Sequence, residues 1–342
     1  MADPDKSEAG RPGLDPGPLM RLSTAYWDSQ TLLTANRIGL FDVLANGTLG
    51  VEAIAAALKT EPKPTRLLLK ACVALGLLEE GPDGFSNSPE GAAFLVSGAP
   101  AYLGNAIRYS DNLYATWGEL EKALREGCPP MAPETYLGKD KKITRDFVYG
   151  MHDRALGVGR VMVGLVDLSG RRQMLDVGGG PGTYSALFAQ RYPELHSQVM
   201  DLPDVVAIAK EIVDSMGVAD RVQTLGGDYM KTPFPAGKDV VMISGVFHRE
   251  TEVTCRRLIE QAADSLEPGG LLLVSDVFTD VGGSQPVFAT LFGLNMMLSA
   301  PDGGVHADAD VACWMNQAGF ATGEVRHFPP PMPHRLIIGE KQ

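Results

Sequence analysis

Apolar and polar positions in the first third of the chain repeat with the period of an amphipathic helix. The pattern predicts a long helix at residues 24–44, a short one at 51–58 and a third at 65–75. A Gly-Pro-Asp-Gly turn between the short apolar runs of residues 77–86 then predicts a small hairpin. Helix, turn, helix and hairpin in this order are typical of a winged helix.

From about residue 173 the pattern changes to short apolar runs that alternate with helical stretches. Such alternation predicts a mostly parallel sheet with helices on both faces. We therefore expect an α/β, Rossmann-like doubly wound sheet, preceded by a mostly helical winged-helix domain. Residues 331–340 are predicted to add a final edge strand. The candidate strands are 174–177, 198–201, 222–225, 240–244 and 271–274, and the candidate helices between them are 183–191, 205–216 and 252–265.

The two patterns predict two domains and a tail. We expect residues 19–125 to form the winged-helix domain and residues 126–342 to form the α/β domain. Residues 1–18 are rich in Pro, Gly and Asp, and we expect them to be a disordered tail. They lack the basic and apolar regions of a signal peptide, so no secretion signal is predicted.

Composition narrows the function classes. The chain has 342 residues, of which 44% are hydrophobic, and a formal net charge of -12. A negative chain disfavours binding to nucleic-acid phosphates, and no apolar run is long enough to cross a membrane. The four cysteines are scattered without a C-x-x-C pair, which argues against a zinc ribbon and a disulfide framework. The simplest expected location is the cytoplasm.

The strongest chemical signal is a glycine loop, residues 178–182, that directly follows the first strand of the predicted sheet. Its sequence, Gly-Gly-Gly-Pro-Gly, lets the backbone approach a ligand closely. A dinucleotide fold prefers the longer spacing G-x-G-x-x-G with pyrophosphate at the helix N-terminus. Asp176 stands just before the loop, where a carboxylate would repel pyrophosphate but attract a cationic ligand. The loop therefore favours S-adenosylmethionine, which carries an ammonium and a sulfonium but no phosphate.

Two further carboxylates follow at the ends of the next two strands. Asp201 ends the second strand, where an acidic residue accepts hydrogen bonds from ribose hydroxyls. Asp228 follows the third strand, within reach of an adenine amino group. One glycine run is a weak signal, but three carboxylates at three successive strand ends strongly predict a site for S-adenosylmethionine.

With these residues in place, the chain resembles the small-molecule O-methyltransferases that include the plant caffeic-acid type and bacterial polyketide and phenazine enzymes. The resemblance extends from Leu19 to the C-terminus. Its motifs are Arg37-Ile-Gly-Leu-Phe-Asp, Leu75-Gly-Leu-Leu-Glu, Trp117-Gly-Glu-Leu, Asp201-Leu-Pro, Gly227-Asp and Leu266-Glu-Pro-Gly-Gly.

The resemblance implies a dimerisation role for the winged-helix domain and a methyltransferase sheet in the second domain. The enzyme would be a homodimer joined through its N-terminal domain, acting on a small-molecule methyl acceptor. Ser244 departs from the plant members, which usually carry Lys at that position. The cofactor contacts expected from the resemblance and from the loop are Asp176, Gly178, Gly180, Asp201, Leu202, Asp228, Tyr229 and Ser244.

The candidate general base is His248, which follows the fourth strand and matches the His of the family's Leu-His-Asp-Trp motif. A phenol has a pKa of about 10, so at neutral pH it is a poor nucleophile. A neutral imidazole can remove its proton as the oxygen attacks the methyl carbon. The sequence departs from the family after this residue, because Arg249 and Glu250 stand where Asp and Trp are usual.

Two further residues complete the expected catalytic set. Asp276 falls where the family has a Glu that orients the His, and His306 falls at another family Glu. Two histidines and a carboxylate also form a metal facial triad, which leaves a metal-assisted C-methyltransferase acting on a 2-oxo acid as an alternative. We favour His306 as a polar residue of the pocket wall, and no metal is predicted.

The acceptor pocket is expected to be apolar. Phe147, Met151 and Met297 match family positions that clamp the acceptor, and His306 is expected to line the same pocket. Methionine side chains adapt to flat or irregular substrates. The residues do not identify the acceptor beyond a hydroxylated aromatic or polyketide-like molecule.

Two readings from other classes are weaker. A winged helix can bind DNA, but the candidate recognition helix at residues 63–72 contains three consecutive leucines and there is no basic wing. A nicotinamide dehydrogenase is disfavoured by the G-x-G-x-G spacing and by Asp176. We therefore expect neither a nucleic-acid partner nor a membrane partner.

Overall fold

The computed structural model describes residues 14–130 and 141–342, and it divides into two compact units, Met1–Gly104 and Asn105–Gln342. The division at Gly104 comes earlier than the predicted boundary at residues 125 and 126. Most of the predicted tail lies outside the described residues, but the first helix already begins at Gly17. No helix in the described parts of the chain has the length and apolar character needed to cross a membrane.

The first unit contains short helices and one hairpin. A buried core containing Phe41, Ile54, Leu69 and Phe85 holds them together. The elements are α1 (Gly17–Thr24), α2 (Tyr26–Arg37), α3 (Leu40–Val43), α4 (Val51–Leu58), α5 (Pro62–Ala74), β1 (Leu78–Gly81), β2 (Gly84–Asn87) and α6 (Pro89–Phe94).

The structure confirms the predicted hairpin and corrects the predicted long helix. β1 and β2 pair antiparallel around the turn between Gly81 and Gly84. The predicted helix at residues 24–44 is interrupted, because α2 ends at Arg37 and Gly39 takes a φ of 78° before α3 begins. Glycine adopts this left-handed conformation without the steric cost that a side chain would incur.

The second unit is built on one large sheet. Its strands are β3 (Gln173–Val177), β4 (His196–Asp201), β5 (Val222–Gly226), β6 (Lys238–Ser244), β7 (Leu266–Val277), β8 (Phe320–Thr322), β9 (Arg326–His327) and β10 (His334–Lys341). The spatial order is β5-β4-β3-β6-β7-β10-β8, with β9 also paired to β10. The strands from β5 to β7 in this order run parallel, and β10 is antiparallel to β7.

This order confirms the predicted doubly wound α/β fold. The chain direction across the sheet reverses between β3 and β6, and ligands bind at such a switch point beyond the carboxyl ends of the strands. The prediction of an edge strand at residues 331–340 was wrong in its position. β10 lies inside the sheet, between β7 and β8, and it begins at His334, after a proline-rich segment.

Helices cover both faces of the sheet. On one face, the helices at residues 252–265 and 308–317 pack on Val241, Leu272 and Ile337. On the other, the helices at residues 141–165 and 183–191 pack on Met242 and Leu273. The helices of this unit are α7 (Gly104–Trp117), α8 (Leu120–Glu126), α9 (Lys141–Leu165), α10 (Thr183–Arg191), α11 (Pro203–Ser215), α12 (Glu252–Ser265), α13 (Val287–Met297) and α14 (Asp308–Gln317).

Candidate active site

The glycine loop connects β3 to α10 at the switch point. Gly178, Gly180 and Gly182 have φ angles of 63°, 53° and 71°, which side chains rarely adopt. The amide of Gly178 donates to the carbonyl of Met200 at 2.8 Å and so ties the loop to the end of β4. A Cβ at Gly178 would lie 2.7 Å from Val246, whereas a Cβ at Gly180 would meet no atom within 4 Å. The loop is therefore packed against protein at Gly178 and open at Gly180, as a ligand cradle requires.

Asp176 lies beneath this loop and is fully buried. Its Oδ2 accepts a hydrogen bond from the Ser185 hydroxyl at 2.7 Å, and that hydroxyl accepts one from Ser197 at 2.8 Å. Its Oδ1 is buried without a hydrogen-bond partner among the described residues. Burial raises the pKa of Asp176 to about 7, and the charge of Asp201 adds to this effect. An unpaired carboxylate oxygen here favours a cation bound at the loop.

Asp201 is fixed at the end of β4 by two backbone donors. Gly180 donates to Oδ2 at 2.8 Å, and Leu202 donates to Oδ1 at 2.7 Å. Burial raises the pKa of the Asp201 carboxyl, and these two amides oppose that effect. The structure therefore brings Asp201, Leu202 and the glycine loop together, and ribose binding at this edge stays a prediction.

Asp228 and Tyr229 follow β5 on the same side of the sheet. Asp228 accepts from the Met230 amide at 2.9 Å and from the Lys231 ammonium at 2.8 Å. The hydrogen bond from Lys231 lowers the pKa of Asp228. The Tyr229 hydroxyl donates to Glu250 Oε1 at 2.7 Å, and burial raises its pKa. Both side chains are therefore held by neighbours, which fixes this wall of the cradle.

Ser244 is the last residue of β6 and pairs with Ser275 of β7 in register. Its side chain interacts with the Tyr184 hydroxyl in the first turn of α10. Ser244 therefore lies where the strand end meets the helix that follows the glycine loop.

His248 and Asp276 form a hydrogen-bonded dyad at the ends of β6 and β7. His248 belongs to a 3₁₀ turn, Phe247–Arg249, that follows β6. Its Nδ1 lies 2.7 Å from Asp276 Oδ1, and its backbone amide donates to Oδ2 at 3.3 Å. The Asp276 side chain is 3% exposed, and that of His248 is 14% exposed. The carboxylate is therefore sealed, while the imidazole keeps one edge accessible.

Charge fixes the tautomer of this dyad. Burial alone would raise the pKa of Asp276, but the His248 imidazole and the hydrogen bonds from the amides of Val277 and His248 hold it below its usual value. An ionised carboxylate only accepts hydrogen bonds, so Nδ1 of His248 carries a proton and donates it to Asp276. When the ring carries only this proton, Nε2 has the lone pair that a general base uses.

The structure does not bring the His306 Nε2 into this dyad. His306 Nε2 instead faces two backbone carbonyls of the turn that carries His248, at 3.1 Å from Phe247 O and 3.0 Å from Glu250 O. It also lies 3.6 Å from Cys255 Sγ, and the ring meets Trp314 edge-on at 5.2 Å. His306 Nε2 therefore contacts the backbone of the 3₁₀ turn that carries His248.

The contacts of His248 and His306 also bear on the alternative in which these residues and Asp276 hold a metal ion. The predicted facial triad needs nitrogens of both histidines and an oxygen of Asp276 to converge on one point. Nδ1 of His248 is bonded to Asp276, and His306 Nε2 is directed at carbonyls. Across residues 14–130 and 141–342, no group of three or more His, Cys, Asp or Glu side chains has a metal-binding arrangement. The residues present do not fit the triad.

Two aromatic side chains of α13 lie beside His248, and the predicted clamp residues lie on α9 and α13. Phe292 of α13 meets the imidazole edge-on at 5.0 Å, and Phe288 stacks on Phe292 at 6.1 Å. Met297 is the last residue of α13 and is half-buried. Of the other predicted clamp residues, Phe147 and Met151 are both on α9 and half-buried.

The sequence did not reveal His334, which begins β10 and pairs with Val277, the residue after Asp276. Its Nδ1 is buried and has no hydrogen-bond partner among the described residues. Burial lowers the pKa of His334 to about 4, against the attraction of Asp276, and Arg154 and His248 lower it further. The antiparallel pairing of β10 with β7 brings His334 to the dyad, so no local sequence motif predicts its position there.

Comparisons with known proteins find relatives over most of the chain. A family model for an O-methyltransferase domain matches residues 117–321, and a model for an O-methyltransferase dimerisation domain matches residues 20–97. The chain is 31% identical to a 3-hydroxy-5-methyl-1-naphthoate 3-O-methyltransferase of Streptomyces sahachiroi, over 94% of each protein. It is also 31% identical to the acetylserotonin O-methyltransferase of Mus musculus, over 98% of this chain and 91% of the relative.

A solved structure extends the likeness to three dimensions. Human N-acetylserotonin methyltransferase in complex with SAM superposes with a TM-score of 0.86 at 26% identity, covering 97% of this chain and 99% of that one.

Proposed function

The chain belongs to the O-methyltransferase family and uses S-adenosylmethionine, and from this premise we propose which residues carry the reaction and what they act on. The proposed reaction transfers a methyl group to a hydroxyl of a small aromatic or polyketide-like metabolite, with His248 as general base. The observation that carries the proposal is the His248–Asp276 dyad beside the glycine loop.

The chemistry needs one proton acceptor and precise placement. S-adenosylmethionine supplies a methyl group bonded to a positively charged sulfur, which leaves as a neutral thioether. His248 Nε2 accepts the proton of the acceptor hydroxyl while that oxygen forms the new bond to carbon. Asp276 holds the ring and stabilises the imidazolium that results. A base of this kind contributes about 10²- to 10⁴-fold to the rate, and holding the two reactants in line contributes much of the rest.

We assign the cofactor to the switch point between β3 and β6. The open space at Gly180 and the unpaired Oδ1 of Asp176 fit a cationic, non-phosphorylated ligand. In this assignment Asp201 binds the ribose hydroxyls. The backbone at Gly178 and Leu202, together with Asp228, Tyr229 and Ser244, completes the cradle. Asp176 acts from beneath the loop through its charge.

On the acceptor side, Phe147, Met151 and Met297 are the proposed clamp. We propose that His306 positions the turn that bears His248, because its Nε2 contacts two carbonyls of that turn. Relatives named for a hydroxylated naphthoate, for tetracenomycin polyketide synthesis and for acetylserotonin support a fused or substituted aromatic ring as the acceptor class.

We also propose that the first unit forms the homodimer. Residues 20–97 match a dimerisation domain. Leu19, Leu22 and Trp27 on α1 and α2 are 70%, 73% and 59% exposed, so these helices leave a large apolar surface uncovered. Sedimentation of the full chain at micromolar concentration should give the dimer mass, and Trp27→Glu should lower it toward the monomer. A monomer mass for the unmodified chain would contradict the proposal.

The proposed reaction is tested with methyl-tritiated S-adenosylmethionine and a panel of hydroxylated aromatics and 2-oxo acids. We expect label to enter an aromatic hydroxyl as a methyl ether. His248→Ala should lower kcat by about 10²- to 10⁴-fold. It should leave the Kd of S-adenosylhomocysteine unchanged, because His248 lies outside the proposed cradle. Transfer to carbon, or full activity in His248→Ala, would contradict the proposed base and acceptor.

A further inference from the structure

One face of α9 carries a positive charge next to the proposed acceptor clamp. Phe147, Met151 and Arg154 are spaced by four and three residues, so their side chains lie on the same side of the helix. Two of these three residues are proposed to contact the acceptor. The third, Arg154, is exposed and was not singled out by the sequence.

Tyr109 of α7 packs against this face of α9. The Phe147 ring meets the Tyr109 ring edge-on at 5.6 Å, and the Arg154 guanidinium lies 5.9 Å from the centre of the same ring. One aromatic ring therefore contacts both ends of the three-residue face, so Arg154 and Phe147 border the same space between α7 and α9.

No carboxylate among the described residues neutralises the charge of Arg154. Apart from the cation–π contact with Tyr109, its guanidinium makes no hydrogen bond or ion pair within residues 14–130 and 141–342. Arg145 on the same helix differs, because it donates to both Glu211 oxygens at 3.0 and 2.8 Å. In a chain with a net charge of -12, an arginine left without a carboxylate beside a binding site is available to a ligand.

The electrostatic neighbourhood connects Arg154 to the dyad. The charges of Arg154, His248 and Asp276 all affect the pKa of His334, which pairs with Val277, the residue after Asp276. Burial raises the pKa of Tyr109, and Arg154 and Arg249 both oppose that effect. Arg249 also acts on the carboxyls of Asp201 and Glu250, whereas Arg154 acts on His334 beside the dyad.

We propose that Arg154 binds a carboxylate of the methyl acceptor, so that the preferred substrate is a hydroxylated aromatic acid. This inference rests on the proposed function and names the substrate class for the same site. A guanidinium offers two parallel N–H donors that match the two oxygens of a carboxylate. An acceptor held at this point on α9 and clamped by Met151 would be oriented with respect to His248.

A carboxylate has two sources in this reaction, because the methionyl end of the cofactor also carries one. Removal of the Arg154 guanidinium would have a different effect for the acceptor carboxylate than for the cofactor carboxylate. If Arg154 binds the acceptor, the variant loses its preference among acceptors and keeps its affinity for the cofactor. If Arg154 binds the cofactor, the Kd of S-adenosylhomocysteine rises and the acceptor preference stays.

The test uses 3-hydroxy-1-naphthoic acid and 2-naphthol, which differ only in the carboxylate. Their binding to the full-length protein saturated with S-adenosylhomocysteine is measured by fluorescence titration, so the result does not depend on turnover. We expect the acid to bind about 10- to 100-fold more tightly, as a charge-assisted pair predicts. Arg154→Met should remove this preference, and Arg154→Lys should restore part of it.

Arg160→Met is the matched control, because Arg160 is another exposed arginine of α9 on a different side of the helix. It should keep the full preference for the acid, and circular dichroism should show that all variants fold. Equal binding of the two naphthalenes by the unmodified protein would overturn the inference. So would a preference that survives in Arg154→Met, or a rise only in the Kd of S-adenosylhomocysteine. Preferential binding of the acid that depends on Arg154 but comes without methyl transfer would contradict the proposed function and support only the carboxylate site at Arg154.

Discussion

The two sides of the candidate site are built in different ways. The proposed cofactor side consists of a glycine loop and carboxylates that follow β3, β4 and β5, and backbone amides hold Asp201 in place. The proposed acceptor side consists of side chains from α7, α9 and α13, together with the His248–Asp276 dyad. The cofactor side therefore depends on sheet topology, whereas the acceptor side depends on how individual side chains pack.

This difference has a functional consequence. A cradle made from strand ends and backbone can stay constant while the helices that face it change. Substitutions on the cofactor side should alter the Kd of the cofactor, and substitutions in the dyad should alter the rate of the chemical step.

The largest effect is expected from Asp276→Asn. The carboxamide can donate to Nδ1 of His248 and so place the ring proton on Nε2, which would then no longer accept a proton. We expect kcat to fall by roughly 100-fold or more, with an unchanged Kd for S-adenosylhomocysteine. Steady-state kinetics and calorimetry of the same preparation measure both. An unchanged kcat would contradict the proposal that the His248–Asp276 dyad controls the rate of the chemical step.

A smaller effect, on the affinity for the cofactor rather than on kcat, is expected from Asp201→Ala. Loss of a charged hydrogen-bond acceptor at the proposed ribose site should raise the Kd of S-adenosylhomocysteine by roughly 10- to 100-fold. The value of kcat at saturating cofactor should change little. Asp214→Ala, which removes an exposed carboxylate of α11, is the control and should leave both quantities unchanged. A fall in kcat without a change in Kd would place Asp201 on the catalytic side.

The smallest effect is on stability and depends on pH. Because the folded-state pKa of Asp176 is raised to about 7, the folded protein binds a proton between pH 4 and 7 that the unfolded chain releases. The cost of this buried charge is therefore absent at low pH and complete above pH 7. Asp176→Asn should raise the Tm of the cofactor-free protein by roughly 5 °C at pH 8, and by little at pH 4. A Tm difference that does not change with pH would contradict this account.

The cofactor side was largely predictable from the sequence. Asp201 and the glycine loop follow strands whose apolar runs are plain, and the carboxyl ends of parallel strands meet at one edge. The position of His248 at the end of β6 was also predictable, because His248 closely follows the fourth strand. The distance between Asp276 and His248 follows from the parallel pairing of β6 and β7, which the predicted fold implies.

The remaining features depend on packing that no local pattern encodes. His306 was expected in the pocket wall, but its Nε2 faces the carbonyls of the 3₁₀ turn because the preceding loop returns to that turn, where the Gly304 amide donates to His248 O at 3.0 Å. His334 reaches the dyad only because β10 inserts between β7 and β8. The charge of Arg154 becomes informative only once the structure shows that no carboxylate of the described residues pairs with it.

The most direct test of the central claim compares His248→Ala and Asp201→Ala side by side. For each, the single-turnover rate of methyl transfer to an acceptor that the unmodified protein uses is measured at saturating cofactor, together with the Kd of S-adenosylhomocysteine. The account predicts that His248→Ala loses the rate and keeps the Kd, and that Asp201→Ala keeps the rate and loses affinity. A normal transfer rate in His248→Ala, or equal losses of cofactor affinity in both variants, would contradict it.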